Sequence, residues 1–248
     1  MKAIILAAGV GKRLQAASGG RPKCLLNIGG RTLLSRHLEN LTNLGVTAIA
    51  LVVGYRREAV QEAVAAESRA GTVTYVVNEA YERGSICSLW AARNEMTQDV
   101  LIMDADVLYH PVILRRLVES PFPSALLVDE TVTQTTEECM VVARDGRIKA
   151  LTKQVPADCD CLGEGVGFLK VARTDVPVLL DAVARCMDSG AWDMEYEDAL
   201  KEFFEHVAVG YERVGGLPWM EIDFPEDVIR AEQEILPAIS AMEPSSVS

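Results

Sequence analysis

The amino-acid sequence predicts an α/β fold, with a mostly parallel, mixed sheet that is flanked by helices. Continuous apolar runs, such as residues 3–8, stop at glycine and are typical of strands covered on both faces. Amphipathic stretches at residues 31–45 and 57–66 separate such runs, and this alternation indicates a parallel sheet. The Asp145-Gly146 turn signal lies between strand-like runs of the second half, which we expect to form a smaller β/α portion.

Each predicted element follows from its own local pattern. The helix at residues 31–45 carries leucines on one face and ends at a glycine stop, Gly45. The other helices are predicted at residues 57–66, 86–96, 110–119, 175–188, 199–204 and 228–235. The strands after the first are predicted at residues 47–53, 73–78, 100–103, 125–128, 139–142 and 147–153. Because ligands of parallel sheets bind at the carboxyl ends of strands, we expect a site near Gly9, Gly54 and Asn78.

Size and charge limit the class of protein. With 248 residues, of which 49% are hydrophobic, the chain is long enough to bury a full core. We expect one domain over residues 1–237 and a flexible, Ser- and Pro-rich tail over residues 238–248. The net charge of −12 argues against a nucleic acid or an anionic membrane as partner, because either requires a basic surface.

The cysteine pattern and the N-terminal residues predict the location. The six cysteines include no CxxC pair and no zinc-type spacing, which favours a reduced, cytosolic protein. The first residues begin a strand almost at once and leave no room for a signal peptide, and no apolar run reaches a membrane-spanning length. We therefore expect a soluble, cytoplasmic protein.

A glycine loop with nearby cations follows the first predicted strand. Gly9 and Gly11 allow backbone angles that a side chain forbids, and they let main-chain N–H groups approach a phosphate. Lys12, Arg13 and Lys23 add three cations around this cradle, so the loop suits a triphosphate. An ordinary strand-turn-helix with basic surface residues is the alternative interpretation.

The loop matches neither of two common phosphate-binding motifs. A Walker loop requires Ser or Thr after the Gly-Lys pair, where this chain has Arg13, and the preceding spacing also differs. A dinucleotide fingerprint requires glycine at the position of Leu14. What remains is the pattern L-A-A-G-x-G-x-R-L, followed further along by Pro22-Lys23.

Two carboxylates follow the strand predicted at residues 100–103. Asp104 and Asp106 are two residues apart on an extended chain, so their side chains point the same way and can share one cation. Carboxylate oxygens are hard ligands that suit Mg²⁺. The alternative is that both are exposed aspartates of a turn.

Through these residues the chain resembles the nucleotidyltransferase superfamily that makes NDP-sugars and related activated alcohols. The resemblance implies a single Rossmann-like domain in which Arg13 and Lys23 are catalytic, with Arg13 stabilising charge at the reacting phosphorus. It implies Mg²⁺ as cofactor, held by Asp106 and by Asp223, which lies in a W-x-E-I-D stretch followed by P-E-D. The nucleotide-binding residues that it implies are Leu6, Ala7, Ala8, Gly9, Gly11, Lys12, Asn78, Gly84, Ser85, Ser88 and Asp104. For Ser85, a plain helix cap is the alternative role.

The acceptor region departs from the relatives that activate sugars. In those relatives a lysine that grips the acceptor phosphate aligns with Lys153, but Thr152 and Gln154 do not match its neighbours. This departure suggests an acceptor other than a hexose phosphate. Glu164 belongs to a stretch, residues 163–168, that resembles the glycine-rich strand beside the acceptor pocket, although its glycines could serve only backbone packing.

Aromatic and acidic residues in the second half suggest that the acceptor carries an ammonium group. Such a group, quaternary or primary, binds aromatic faces and carboxylates. The candidate acceptor-binding residues of this kind are Glu138, Trp192, Asp193, Tyr196, Trp219 and Glu221. Choline would favour aromatic faces and a primary amine would favour carboxylates, and the sequence leaves both open. Ordinary edges of the core are the alternative role for these aromatic residues.

Outside the glycine loop that follows the first predicted strand, the chain looks most like the bacterial choline-phosphate and 2-aminoethylphosphonate cytidylyltransferases. This resemblance implies that an acceptor phosphate or phosphonate attacks the α-phosphorus of an NTP, with CTP favoured, and releases pyrophosphate. A sugar-1-phosphate nucleotidyltransferase and a non-catalytic nucleotide-binding module are the alternatives. A homodimer is a further expectation.

Overall fold

Within the residues that the structure describes, nine strands form one large sheet that is covered by helices on both faces. The structure is a computed structural model, and it describes residues 1–14, 19–67, 71–132, 140–152 and 161–242, without the side chains of residues 161 and 162. In chain order, the strands are β1 (Lys2–Leu6), β2 (Asn27–Ile28), β3 (Arg31–Thr32), β4 (Ala48–Val53), β5 (Thr72–Val77), β6 (Val100–Asp104), β7 (Val107–Tyr109), β8 (Ala125–Asp129), β9 (Met140–Arg144), β10 (Arg147–Thr152), β11 (Cys161–Val171), β12 (Gly210–Arg213) and β13 (Trp219–Glu221).

The centre of the sheet is parallel, in the order β5-β4-β1-β6. The register pairs Leu6 of β1 with Val52 on one side and with Asp104 on the other. Leu6 and Asp104 therefore end side by side at the carboxyl edge of the sheet, where parallel α/β proteins bind their ligands. The predicted α/β fold with a mostly parallel, mixed sheet is confirmed.

The second half adds antiparallel strands through the long strand β11. This strand pairs antiparallel with β6, β8 and β9, while β12 adds a parallel partner to β8. At the predicted turn between β9 and β10, Asp145 has φ 54° and Gly146 has φ 69°, as a tight hairpin requires. Gly167, with φ 78°, lies where the pairing of β11 with β8 shifts register between Gly165 and Leu169.

Helices cover both faces of the sheet. They are α1 (Leu33–Asn43), α2 (Arg57–Ala65), α3 (Ile86–Ala91), α4 (Pro111–Val118), α5 (Val176–Asp188), α6 (Tyr196–His206), α7 (Pro225–Arg230) and α8 (Leu236–Met242). Alternate residues of β1 serve the two cores, because successive side chains of a strand point to opposite faces. Ile4 packs in the core beneath α3, α5 and α6, whereas Ala3 and Ile5 pack in the core beneath α1, α2 and α4.

The C-terminal helices are longer than the sequence pattern predicts. A π-helical turn, Ala231–Ile235, joins α7 to α8, so helical structure continues past the expected domain boundary at residue 237. Ile239 of α8 is buried in a third apolar cluster with Leu14 and Ile28. None of the helices in the described part of the chain combines the length and apolar character needed to cross a lipid bilayer.

Candidate active site

A cleft of about 1020 Å³ opens at the carboxyl edge of β1 and β6. Most of the residues predicted to bind the nucleotide line it: Leu6, Ala7, Ala8, Gly9, Gly11, Lys12, Gly84, Ser85, Ser88 and Asp104. The residues predicted to be catalytic or to hold metal also line it: Arg13, Lys23, Asp106 and Asp223. Of the residues predicted to bind the acceptor, Tyr196 and Glu221 belong to the described lining.

The loop after β1 is shaped by one of its two glycines. Gly11 has φ 61°, and a Cβ there would lie 2.7 Å from Cγ of Lys23, so the Lys23 side chain packs directly on this backbone. The expectation that both glycines have unusual backbone angles holds for Gly11 only, because Gly9 lies outside the left-handed region. A Cβ at Gly9 would meet nothing within 4 Å, which leaves open space for an approaching ligand.

Lys12 and Arg13 lie on a short 3₁₀ turn, Lys12–Leu14, and both are exposed towards the cleft. Leu14 anchors this turn, since it is completely buried in the third apolar cluster. The Arg13 guanidinium lies 5.1 Å from the centre of the Phe224 ring, and its Nη1 is 4.0 Å from Oδ2 of Asp223. Both contacts hold the arginine at the rim of the cleft.

Lys23 joins the glycine loop to the carboxylates. Its Nζ donates a hydrogen bond of 3.0 Å to Oδ2 of Asp106 and a second, short one to Oδ1 of Asp223. Burial by itself would lower the pKa of Lys23, but the negative charges of Asp106 and Asp223 outweigh it and raise the pKa above its usual range. The ammonium group therefore stays protonated and supplies a fixed positive charge.

Three carboxylates converge beside this ammonium group. One oxygen from each of Asp106, Glu221 and Asp223 lies within 4.8 Å of the others. The ribbon of β7 and β13 brings them together, because it pairs Glu221 with Val107, and the Ile222 N–H donates to the Asp106 carbonyl at 3.1 Å. This cluster of hard oxygen ligands fits Mg²⁺.

The geometry at Asp223 is fixed by the P-E-D sequence that follows it. Oδ2 of Asp227 accepts hydrogen bonds from the backbone N–H groups of Asp223, at 2.9 Å, and Phe224, at 2.7 Å. This capping interaction begins α7 and sets the direction in which Asp223 leaves β13. Desolvation in the cleft, with the charges of Asp106 and Asp223, raises the pKa of Glu221 to about 8.

Asp104 lies at the end of β6 and contacts the wall of the cleft that begins α6. Its Oδ2 accepts a hydrogen bond of 3.0 Å from the hydroxyl of Tyr196, and a Cβ on Gly167 would overlap this carboxylate. Burial raises the pKa of Asp104 well above its usual range, and the charge of Glu197 adds to the effect. Burial likewise raises the pKa of Glu197 to about 7. This wall therefore concentrates carboxyl groups whose negative charge a bound cation would stabilise.

The structure places two predicted acceptor residues outside the lining of the cleft. Asp193 forms an ion pair with Arg83, and the Trp192 indole N–H donates to the Met187 carbonyl at 3.1 Å. Both side chains belong to a segment that is docked against the loop around Gly84. These partners argue against direct binding of the acceptor by Trp192 or Asp193.

Trp219 is also turned away from the cleft. Its indole N–H donates to Oδ2 of the buried Asp129 at 2.7 Å, and its ring packs on the core beneath α1, α2 and α4. It anchors β13 and is not among the described residues that line the cleft. Glu164 lies on β11 between Asp129 and Met140 and is not among the described lining residues. Of the remaining acceptor predictions, Glu138 and Lys153 lie outside the described residues.

Asn78 lies behind Ser88 and holds its side chain. It is buried, its Nδ2 donates to Oγ of Ser88 at 3.0 Å, and its Oδ1 accepts from the Ala80 N–H at 2.9 Å. Asn78 therefore lies one layer behind the cleft, and Ser88 lies between them.

Several lining residues were missed by the sequence analysis. They are Tyr81, Glu82, Arg83, Leu151, Glu197, Asp198 and Lys201. The spacing of Glu197 and Lys201, four residues apart on the amphipathic helix α6, is a signal that could have placed both on one face. Tyr81 follows β5 in an irregular segment, where no periodicity marks its direction.

A glycine loop, a bridging lysine and converging carboxylates at the carboxyl edge of a parallel sheet define a nucleotidyltransferase domain. The family model described as the MobA-like NTP transferase domain matches residues 3–151, which is more than half of the chain. The chain therefore belongs to this family, and the predicted membership of the nucleotidyltransferases is confirmed.

Cytidylyltransferases are among its relatives. The chain is 30% identical over 251 residues to the CMP-5'-(3-aminopropyl)phosphonate synthase of Streptomyces rubellomurinus, covering 96% of this chain and 39% of that protein. It is 25% identical over 235 residues to the choline-phosphate cytidylyltransferase of Streptococcus pneumoniae, covering 94% of this chain and 97% of that protein. Of several other curated relatives, the chain spans about half of the length.

Solved structures support the fold. The CTP:phosphocholine cytidylyltransferase of Streptococcus pneumoniae superposes with a TM-score of 0.74 at 23% identity, covering 93% of this chain and 97% of that one. At this identity the likeness shows a shared nucleotidyltransferase fold.

Proposed function

We propose that this protein transfers CMP from CTP to a small aminoalkyl phosphate or phosphonate and releases pyrophosphate. One observation carries the proposal: a single cleft holds the glycine loop, Lys23 and the carboxylates of Asp106, Glu221 and Asp223. A phosphate cradle and a cluster of hard oxygen ligands are the two parts that attack on an α-phosphorus requires. Because cytidylyltransferases are among the relatives, we propose CTP as the nucleotide substrate of this protein.

The reaction needs alignment and charge neutralisation more than proton transfer. The attacking oxygen of a phosphate or phosphonate is already anionic at neutral pH, so no residue has to act as a strong base. A bond forms between this oxygen and the α-phosphorus of CTP, and the bond to the bridging oxygen of pyrophosphate breaks. Arg13 and Lys23 line the cleft with charges that offset the repulsion between the two anions.

Asp106, Asp223 and Glu221 are the residues that would hold Mg²⁺ in this proposal. When bound, the ion supplies further positive charge for the triphosphate and the developing pyrophosphate. Lys23 contacts two of these carboxylates and so orients them before any substrate binds.

The wall of the cleft that residues 195–197 form favours a primary amine over choline. Its carboxylates are Glu195 and Glu197, whereas the aromatic residues among the described residues that line the cleft are Tyr81 and Tyr196. Carboxylates accept hydrogen bonds from a primary ammonium group, and a trimethylammonium group has no N–H to donate. Binding of a quaternary group relies on aromatic faces instead. The tryptophans that the sequence suggested for this purpose, Trp192 and Trp219, lie outside the described lining.

A screen of pyrophosphate release tests this proposal. The four ribonucleoside triphosphates are each combined with 2-aminoethylphosphonate, 3-aminopropylphosphonate, phosphocholine and glucose 1-phosphate, in Mg²⁺ and in EDTA. We expect turnover with CTP and the aminoalkylphosphonates in Mg²⁺, and a lower kcat/KM with phosphocholine. Preference for UTP with glucose 1-phosphate would instead identify a sugar nucleotidyltransferase, and absence of turnover with every pair would favour a binding module. Cytoplasmic location and a homodimer stay predictions.

A further inference from the structure

We infer that residues 192–196 form a clamp that positions residues 83–87, the loop whose Gly84 and Ser85 we expect to contact the nucleotide, and that Asp193 is a positioning residue of this clamp. The inference rests on the proposed function, because it concerns how that site is assembled. The two segments are far apart in the chain, yet they are docked along their whole length. The clamp thereby joins the wall that faces the acceptor to the loop that faces the nucleotide.

Backbone contacts connect the two segments. The Gly84 N–H donates to the Trp192 carbonyl at 2.9 Å, and the Ile86 N–H donates to the Met194 carbonyl at 3.3 Å. A Cβ on Gly84 would overlap the Met194 carbonyl oxygen, so only glycine permits this close approach. The Sγ of Cys87 donates to the Trp192 carbonyl at 3.3 Å and extends the contact into α3.

Side chains close the clamp at both ends. At one end, Arg83 makes a two-point ion pair with Asp193, with Nη2 to Oδ2 at 2.8 Å, and its guanidinium lies 5.9 Å from the Trp192 ring centre. At the other end, the Tyr196 N–H donates to Oγ of Ser85 at 2.8 Å, and the Ser85 N–H donates to Glu195 at 3.3 Å.

The clamp reaches the acceptor side through Tyr196. The backbone of Tyr196 is bonded to Ser85, while its hydroxyl is bonded to Asp104 at 3.0 Å. A displacement of the Gly84-Ser85 loop must therefore move a residue of the acceptor wall as well. Loosening the clamp should weaken binding of both substrates together.

Asp193 is the position at which this inference is most easily tested. Its side chain is 74% exposed and lies outside the described lining of the cleft. Exposed ion pairs contribute little to stability. A substitution there should leave the fold intact, and any change in substrate binding must arise from the position of Arg83 and its neighbours.

The experiment measures KM for CTP and for an aminoalkylphosphonate in the wild type, Asp193→Ala and Asp193→Glu. We expect Asp193→Ala to raise both KM values about two- to fivefold and to lower kcat by a smaller factor. A change of this size corresponds to the loss of one exposed ion pair. Asp193→Glu keeps the carboxylate, so both KM values should return most of the way to those of the wild type. The matched control is Glu202→Ala, which removes another ion pair at the surface, that of the partly exposed Glu202 with Arg185 at 2.6 Å, between α5 and α6.

The pattern of KM values separates the possible roles. An increase in the KM of the acceptor alone would overturn the inference and return Asp193 to a direct acceptor contact. Equal effects of Asp193→Ala and Glu202→Ala would also overturn it, because they would indicate general loosening of the fold. A second variant, Gly84→Ala, should raise the KM of the acceptor as well as that of CTP, and an unchanged acceptor KM would contradict the clamp.

Failure of this inference is distinguishable from failure of the proposed function. If the wild type does not turn over CTP with an aminoalkylphosphonate, the proposed function is overturned. The inferred role of the clamp in binding these substrates is then overturned as well. If the wild type is active and Asp193→Ala retains both KM values, only the clamp is overturned.

Discussion

The ammonium group of Lys23 lies 3.0 Å from the Asp106 carboxylate and holds a positive charge at the centre of the acidic cluster. A nearby cation stabilises carboxylates that would otherwise repel one another. Lys23 therefore has two roles. It holds the carboxylates together, and its side chain packs against the glycine loop at Gly11.

The first prediction concerns the removal of this charge. Lys23→Met should lower the free energy of unfolding by about 1–3 kcal/mol, because Asp106 and Asp223 lose their cationic partner. Mg²⁺ should raise the melting temperature of the variant more than that of the wild type, since it replaces the missing charge. Thermal unfolding with Mg²⁺ and with EDTA measures both effects. Equal Mg²⁺ shifts in the two proteins would contradict this account of the cluster.

The second prediction concerns the two aspartates. Asp106→Ala or Asp223→Ala should reduce Mg²⁺-dependent pyrophosphate release by about 10²-fold or more, because each removes a ligand and a charge partner of Lys23. Circular dichroism should show an intact fold. Asp188→Ala, an exposed aspartate at the end of α5, is the matched control and should be fully active. Near-normal turnover in either cleft variant would remove that residue from the proposed metal site.

The third prediction separates backbone strain from function at Gly11. Gly11→Ala and Gly190→Ala both place a side chain at positive φ, 61° and 81°, and each should cost about 1–2 kcal/mol of stability. A Cβ meets Lys23 at the first position and open space at the second. Activity should therefore fall about tenfold or more in Gly11→Ala only, as read from kcat/KM. Matching losses of activity in the two variants would refute a specific role for Gly11.

The fourth prediction tests Trp219 as an anchor of β13. Trp219→Phe leaves the buried Asp129 without one of its hydrogen-bond donors and should cost about 1–3 kcal/mol in urea unfolding. KM for the acceptor should stay close to that of the wild type. A large, selective rise in the acceptor KM would mean that the tryptophan contacts the acceptor after all.

The fifth prediction concerns pH. His37 is buried against Tyr109 and Phe168, and burial lowers its pKa to about 4 from 6.5. Between these values the unfolded chain binds more protons at this histidine, so the contribution of His37 to the free energy of unfolding should fall by about 3 kcal/mol as pH drops from 6.5 to 4. The carboxyl groups with raised pKa values, Glu197 and Glu221, act in the opposite direction, so the contribution is read as the difference between the wild type and a His37 variant. His37→Leu should lack this component, whereas His206→Gln, at the exposed end of α6, should keep it. Parallel pH curves for the wild type and His37→Leu would contradict the assignment.

The sequence predicted the sheet, the glycine loop and the acids at strand ends, because each depends on local pattern. Runs such as residues 3–8 show their burial directly, and Asp104 and Asp106 stand at a strand end that the same pattern marks. Local pattern does not specify the direction in which a side chain of the second half points. Trp192 and Trp219 lie near acidic residues in the sequence, but each indole N–H bonds to a partner outside the described lining of the cleft.

What the sequence alone indicated is a phosphate loop with nearby cations and carboxylates, because these features lie in local stretches of the chain, and the class of chemistry followed from the resemblance of those stretches to the nucleotidyltransferases. The tertiary structure decided which residues share the cleft. Glu221 and Asp223 reach Asp106 only through the pairing of β7 with β13, and Glu197 faces Asp104 only because α6 packs across the sheet edge. Such contacts join residues that are remote in the chain. A local residue pattern predicts the type of an element but not which remote segment packs against it.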